Sequence, residues 1–248
     1  MLGQVVEADV SLTREQLDVT DRDAVGAALG PDDLVINCAA WTHVDGAEEH
    51  EQEALRVNSE GARNVAEAAG RVIYVSTDYV FDGTKAGPYV PADPVNPVSA
   101  YGRTKLAGER ATAEANPRHL IVRTSWVFGR GGSNFVETIM RLASERDTLR
   151  VVNDQIGKPT YTGHLATALL ELAGSEDYGI HHRAGGGQCS WFEFAREIVC
   201  RAGLDCMVEP CTTEEFPRPA PRPANSVLEG GDLPDWREGL EAYLGVRV

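Results

Sequence analysis

Lysine is nearly absent from this chain: three of its 248 residues are lysine, and Lys and Arg together number 23 against 38 Asp and Glu. The formal charge of -15 argues against nucleic acid and anionic membranes as partners, since both are bound through a basic face. Cysteine is sparse as well. Cys38, Cys189, Cys200, Cys206 and Cys211 are odd in number and scattered, with no C-x-x-C pair, which argues against a disulfide framework and a zinc site. They read as reduced thiols of a cytoplasmic protein. No apolar run approaches the ~20 residues of a membrane span. The start, M-L-G-Q-V-V-E-A-D-V, has neither a basic region nor a long apolar core, so no signal peptide is expected. Internal repeats and low-complexity segments are missing too. These absences leave a soluble, cytoplasmic chain whose 42% hydrophobic residues suffice for an ample core.

What is present is an alternation of buried strands and helices. Leu34 to Ala40 is an apolar run ending in small residues, Arg71 to Ser76 is rich in Val, Ile and Tyr, and His119 to Val127 repeats the pattern. Such runs suit strands buried on both faces of a parallel sheet. A short strand is expected at Val5 to Ala8, and Thr20 is the expected cap of a helix over 21–29. Helices are predicted over 46–56, 60–69, 100–115, 134–145, 165–173 and 191–202, with further strands at 150–152 and 179–184. Strands alternating with helices predict an α/β fold, a doubly wound, mostly parallel sheet. Phe216 to Pro223, F-P-R-P-A-P-R-P, holds four prolines and is neither helix nor central strand. It is either an irregular surface segment or a substrate-facing loop that offers Arg218 and Arg222 to phosphate oxygens.

Chemistry gathers between Val75 and Lys105. Tyr101 and Lys105 stand four apart at the start of a predicted helix, so phenol and ammonium share a face. A nearby cation favours phenolate and lowers a Tyr pKa, fitting it for proton transfer near neutral pH. Seven tyrosines and three lysines give about a one-in-twelve chance of a coincidental Y-x3-K, so context decides. Thr77 ends the strand before the helix, and Cys38, Ala39 and Ala40 end the previous one. In open parallel sheets, ligands sit beyond these carboxyl ends, and small side chains there permit close approach.

In this context the chain resembles the extended short-chain dehydrogenase/reductases, and among them the reductases of dTDP-activated keto sugars. The resemblance rests on V-I-N-C-A-A-W-T-H-V-D-G-A-E (35–48), V-S-T-D-Y-V-F-D-G (75–83), Y-G-R-T-K-L-A-G-E (101–109), R-T-S-W-V-F (123–128), Asn134-Phe135, N-D-Q-I-G-K-P-T (153–160) and R-P-A-P-R-P-A-N-S-V-L (218–228). It implies a Rossmann-like domain over 1–130, with 164–186 returning to it, and a smaller substrate lobe over 131–163 and 187–248. It implies reduction, by NADPH or NADH, of the 4-keto group of a dTDP-6-deoxyhexulose. Tyr101 matches the proton donor, Lys105 the residue that tunes it and holds the nicotinamide ribose, and Thr77 the hydroxyl that bonds the substrate carbonyl. Asp78 and Trp126 match substrate-binding positions. Cys38, Ala39, Ala40 and Val75 match cofactor contacts, and Asp18 and Val19 lie where the family places residues near the adenine. From the residues alone, Thr77 and Asp78 also suit a loop cap, and Trp126 suits plain core. No metal ligands are identified, although the resemblance admits Mg2+ and a homodimer.

The chain departs from that pattern at its start. It has no G-x-x-G-x-x-G loop to cradle a pyrophosphate. Met1-Leu2-Gly3-Gln4 resembles the end of such a loop, but only thirteen residues separate Gln4 from Asp18. The expectation is an N-terminally truncated fold with exposed strand edges, reduced stability and a tendency to associate. Two further readings stay open: a non-catalytic binding protein similar to the regulatory subunit of methionine adenosyltransferase, and a start placed too late. Dehydratases of this fold need Asp-Glu after the Thr, whereas Thr77-Asp78 is followed by Tyr79. Epimerases use the same Tyr, Lys and hydroxyl and stay an alternative.

Overall fold

Four parallel strands form the central sheet of the computed structural model, which describes residues 1–245. They are β1 (Leu34–Asn37), β2 (Arg71–Thr77), β3 (His119–Thr124) and β4 (Gly179–His182), side by side in that order. Parallel neighbours need crossovers, and helices supply them. Gly61–Ala68 lies between β1 and β2, Ala100–Ala115 between β2 and β3, and Thr162–Ala173 between β3 and β4. This is the predicted α/β class with a parallel sheet.

The period of two along β2 sends side chains to both faces. Val72 packs with Val25, Val65 and Ala66, and Tyr74 with Ala62 and Ile121. Ile73 goes the other way, joining Leu120, Val122, Leu165 and Leu169 under the helix Thr162–Ala173. Leu2 belongs to this second cluster. A 3-10 turn, Leu2–Gln4, thus sits where the start of the chain meets the sheet face.

Several boundaries differ from the sequence-based expectations. Val5 to Ala8 forms no strand; it follows the 3-10 turn, and β1 pairs with β2 alone among the described residues. A strand needs a neighbour to satisfy its ladder, and this segment lies beside none. The first helix is Arg22–Ala28, capped by Asp21, whose carboxylate accepts from the N–H groups of Asp23 and Ala24. Thr20 instead donates its hydroxyl to Asp18 at 2.8 Å. The helix predicted over 46–56 is interrupted at His50 into Val44–Glu49 and Glu51–Leu55, and the second piece joins the helix predicted over 60–69 through a π turn at Arg56–Glu60. The strand predicted from His119 to Val127 breaks at Trp126, which has φ 45°, and resumes as Val127–Phe128.

A second core lies outside the sheet. Phe128, Phe194, Trp236, Leu240 and Tyr243 are buried together with Val136, Ile139 and Ile198. They come from the helices Phe135–Glu145, Trp191–Arg201 and Trp236–Gly245. A parallel pair of strands, Thr148–Val152 with Met207–Cys211, borders it. Residues 246–248, which the expected substrate lobe includes, lie outside the described residues.

Candidate active site

The site helix Ala100–Ala115 follows from its sequence. Ala, Leu, Glu, Lys and Arg dominate it, and Ser99 caps it by accepting from Gly102 N–H at 3.2 Å. The N–H of Ala100 is satisfied by Glu48 at 2.8 Å. Tyr101, Lys105 and Glu109 succeed one another at intervals of four, so all three lie on one stripe. Gly108 lets that stripe close on the sheet: a Cβ there would collide with the Asn58 carbonyl and the Tyr74 hydroxyl.

Glu109 anchors the stripe from below. Its carboxylate accepts from Arg123 Nε at 2.9 Å and Nη2 at 2.8 Å, and from Ser76 Oγ at 2.6 Å. Arg123 and Glu109 side chains are 2% and 3% exposed, which makes this a buried, bidentate ion pair. Lys105 is buried one turn above. Its ammonium donates to the Val75 carbonyl at 2.8 Å and lies 4.0 Å from the centre of the Tyr74 ring. Burial pulls Lys105 down to about 7, against the opposing charges of Glu109 and Cys38.

Tyr101 is half-buried at the rim, edge-on to Tyr79 with ring centres 5.9 Å apart. Burial pushes its phenol up to about 12; a Thr77 hydrogen bond opposes this, and the Asp78 charge adds to it. The expectation that Lys105 lowers this phenol is corrected here. The ammonium is turned to the Val75 carbonyl and the Tyr74 ring, and desolvation governs Tyr101.

Thr77 closes β2 and caps the next 3-10 turn by accepting from Tyr79 N–H at 3.2 Å. Its hydroxyl donates to Asp78 at 3.0 Å, and Ser125 donates to the other Asp78 oxygen at 3.0 Å. Burial raises the Asp78 carboxyl to about 6, with Ser226, Ser125 and Thr77 pulling the other way. Asp78 is therefore placed behind Thr77, 2% exposed, rather than on the open rim. Cys38, Ala39 and Ala40 follow β1 and are half-buried. Burial raises the Cys38 thiol to about 11, against Lys105 and the chain's amino terminus.

Trp126 lies face to face with Trp191, ring centres 3.5 Å apart and 7° from parallel. A left-handed φ on a Trp is a strained conformation that its surroundings must impose. Gly157 is part of that imposition, because a Cβ there would run into the Trp126 indole. Sequence reading missed Trp191. Its available signal was the capping box that starts its helix, Ser190 with Glu193, which marked a boundary but no function.

Asp18 and Val19 precede the helix Arg22–Ala28. Asp18 is exposed and takes hydrogen bonds from Thr20, which lower its carboxyl. Val19 packs against Gly61 and offers its carbonyl to Asn64 at 3.0 Å. Arg218 and Arg222 converge with each other, but on Asp45 of this same chain. Arg218 donates through Nε at 3.1 Å and through Nη2, Arg222 through Nη1 at 2.9 Å, and Ala220 N–H at 3.2 Å. Burial alone would raise the Asp45 carboxyl, yet the hydrogen bonds from Arg222, Arg218 and Ala220 hold it far below the carboxylate range. Among the described residues no group of three or more His, Cys, Asp or Glu is gathered as a metal site, so the admitted Mg2+ finds no ligand set there. No helix among the described residues is long and apolar enough to cross a membrane.

Comparison with known proteins gives this chain its relatives. The family described as "RmlD substrate binding domain" matches residues 3–246. The dTDP-4-dehydrorhamnose reductase of Mycolicibacterium smegmatis is 45% identical over 94% of this chain and 76% of its own length. The spore coat polysaccharide biosynthesis protein SpsK of Bacillus subtilis is 42% identical over 96% of this chain and 88% of its own. Among solved structures, dTDP-4-dehydrorhamnose reductase from Bacillus anthracis in complex with NADP superposes with a TM-score of 0.94 at 37% identity, covering 99% of this chain and 94% of that one.

Proposed function

This chain belongs to the RmlD substrate binding domain family, and we propose that it is an NAD(P)H-dependent reductase of nucleotide sugars that converts dTDP-4-dehydro-L-rhamnose to dTDP-L-rhamnose, a step of polysaccharide precursor biosynthesis. The observation that carries this reading is the meeting of Tyr101 with the Thr77 hydroxyl at the carboxyl end of a parallel strand, with Lys105 buried one helical turn behind.

The cofactor's nicotinamide end suits the residues present. A lysine ammonium has three N–H donors, and the Val75 carbonyl takes one. The remainder, buried at a sheet edge, match the hydroxyls of a ribose. No strand–Gly loop–helix unit for a pyrophosphate precedes β1 among the described residues. When bound, the nicotinamide supplies a hydride to the ketone carbon.

The chain's own groups manage the proton. Tyr101, kept protonated by burial, donates its phenolic hydrogen to the ketone oxygen as negative charge develops there. The Thr77 hydroxyl, whose hydrogen goes to Asp78 without substrate, turns that hydrogen to the ketone oxygen and holds it with a second hydrogen bond. Lys105, held by the Val75 carbonyl and within the field of Glu109, orients the ribose. Trp126, stacked on Trp191, walls the sugar, and Arg218 and Arg222 hold the diphosphate. Asp78 acts by placing Thr77. Cys38, Ala39, Ala40 and Val75 line the cofactor side, with Asp18 and Val19 toward the adenine. In domain terms, residues 1–130 with 164–186 hold the dinucleotide, and 131–163 with 187–248 hold the sugar nucleotide.

Ketosugar reduction by Tyr101→Phe tests the reading. A loss of roughly 10²–10⁴-fold in kcat is expected, with the melting temperature near that of the wild type. Unchanged turnover would refute the mechanism.

A further inference from the structure

The two-arginine cradle is not an open anion site. Four N–H donors converge on one carboxylate, that of Asp45: two from Arg218, one from Arg222 and the backbone N–H of Ala220. The cradle is stiff by construction. Pro217, Pro219, Pro221 and Pro223 flank the two arginines and fix their backbone. Arg222 Nη1 is also tied to the Ala220 carbonyl at 2.7 Å. Asp45 comes from a distant part of the sequence, 173 residues from Arg218, on the short helix Val44–Glu49 that follows β1. Its side chain is 12% exposed, that of Arg222 17% and that of Arg218 49%, so solvent reaches the cradle from the Arg218 side. The location is next to the chemistry. The charges of Arg222 and Asp45 both act on the Tyr79 phenol, whose ring stands edge-on to Tyr101.

We propose that Asp45 is an internal competitor for the diphosphate: its carboxylate occupies the Arg218–Ala220–Arg222 cradle, and the diphosphate of an incoming nucleotide sugar binds by taking those donors from it. This rests on the reading of the cradle as the diphosphate site. Chemistry favours the exchange. A diphosphate presents more charge and more acceptor oxygens than one carboxylate, and guanidinium forks bind phosphate bidentately. The exchange also discriminates. An uncharged sugar, or one with a single weak anion, gains too little to displace a carboxylate that four donors hold. Asp45 thereby lowers affinity for every anion that takes its donors, so that a weakly held anion no longer fills the cradle while a diphosphate still does. Release of Asp45 also unties the Pro-rich segment from the helix after β1, so occupancy of the cradle is coupled to the position of that segment.

Calorimetric titration of the full chain with dTDP tests this. Asp45→Asn keeps the side-chain shape and removes the charge, and it is expected to tighten dTDP about tenfold, the worth of one charge-assisted hydrogen bond, while lowering KM for the ketosugar more than it alters kcat. Arg222→Ala, alone and combined with Asp45→Asn, is expected to weaken dTDP in both backgrounds. Weaker or equal dTDP binding by Asp45→Asn, with Arg222→Ala still harmful, overturns the competition and leaves the cradle. Arg222→Ala without effect in either background overturns both, and the Tyr101→Phe assay then judges the reductase reading separately. A second measurement uses the wild-type chain and needs no folded variant. Carbodiimide labelling of Asp45 is expected to rise several-fold when dTDP is added, and labelling that stays level or falls overturns the proposal.

Discussion

The helix that carries Tyr101 and the twenty residues that open the chain approach the same edge of the sheet in opposite ways. Below Tyr101, the stripe continues into Lys105, Glu109 and Arg123, all buried and tied by short hydrogen bonds. Across the sheet, Leu2 alone of the first twenty residues is buried, and the amino terminus lies close enough to Cys38 to act on its thiol. One side is held by a buried polar network whose hydrogen bonds share partners. The other has one buried side chain, Leu2, with Val6, Leu17 and Val19 partly buried against the clusters. Proton transfer needs atoms fixed to fractions of an ångström, and the densely tied side is where that chemistry is proposed.

Three measurements bear on that contrast. The largest effect is expected from Glu109→Gln, which leaves Arg123 buried without its counter-charge; breaking such a pair costs about 3–5 kcal/mol. Urea unfolding reads it, and a cost below about 1 kcal/mol would mean the network does not hold the helix. A pH effect comes next. The Lys105 pKa is about 7 in the fold against 10.5 in the open chain. Between those values the unfolded chain binds a proton that the folded chain does not, so stability rises with pH across the window. Relative to Lys105→Met, the wild type is expected to gain up to about 1.4 kcal/mol per pH unit there; a difference that is flat with pH would show the ammonium to be better solvated than its burial implies. The smallest effect is expected from Leu2→Ala, about 1 kcal/mol, against about 2–5 kcal/mol for Leu120→Ala in the same cluster. Equal costs would erase the contrast between the two sides.

Much of this was legible in the sequence because it is local or periodic. The apolar runs at 34–40, 71–76 and 119–127 gave the parallel strands, and four-residue spacing put Tyr101 and Lys105 on one face. The reading failed where a distant partner decides. Val5 to Ala8 looked like a strand but has no neighbour to pair with. Arg218 and Arg222 were placed on an irregular surface segment or a substrate-facing loop, and neither reading foresaw that Asp45 engages them. Lys105 looked like the group that tunes Tyr101, yet its ammonium is turned to the Val75 carbonyl and desolvation sets the phenol.

By itself, then, the sequence determined the alternation of elements, the face of the site helix and the Thr77, Tyr101 and Lys105 set, since each depends on residues within a few turns or on one strand end. Only the tertiary structure decided what those groups are bonded to. Asp45 meets the arginines across 173 residues, and Trp126 stacks on Trp191 from a different helix. Such contacts leave no periodic trace, because close packing, not chain spacing, brings the partners together and sets the charge each one feels.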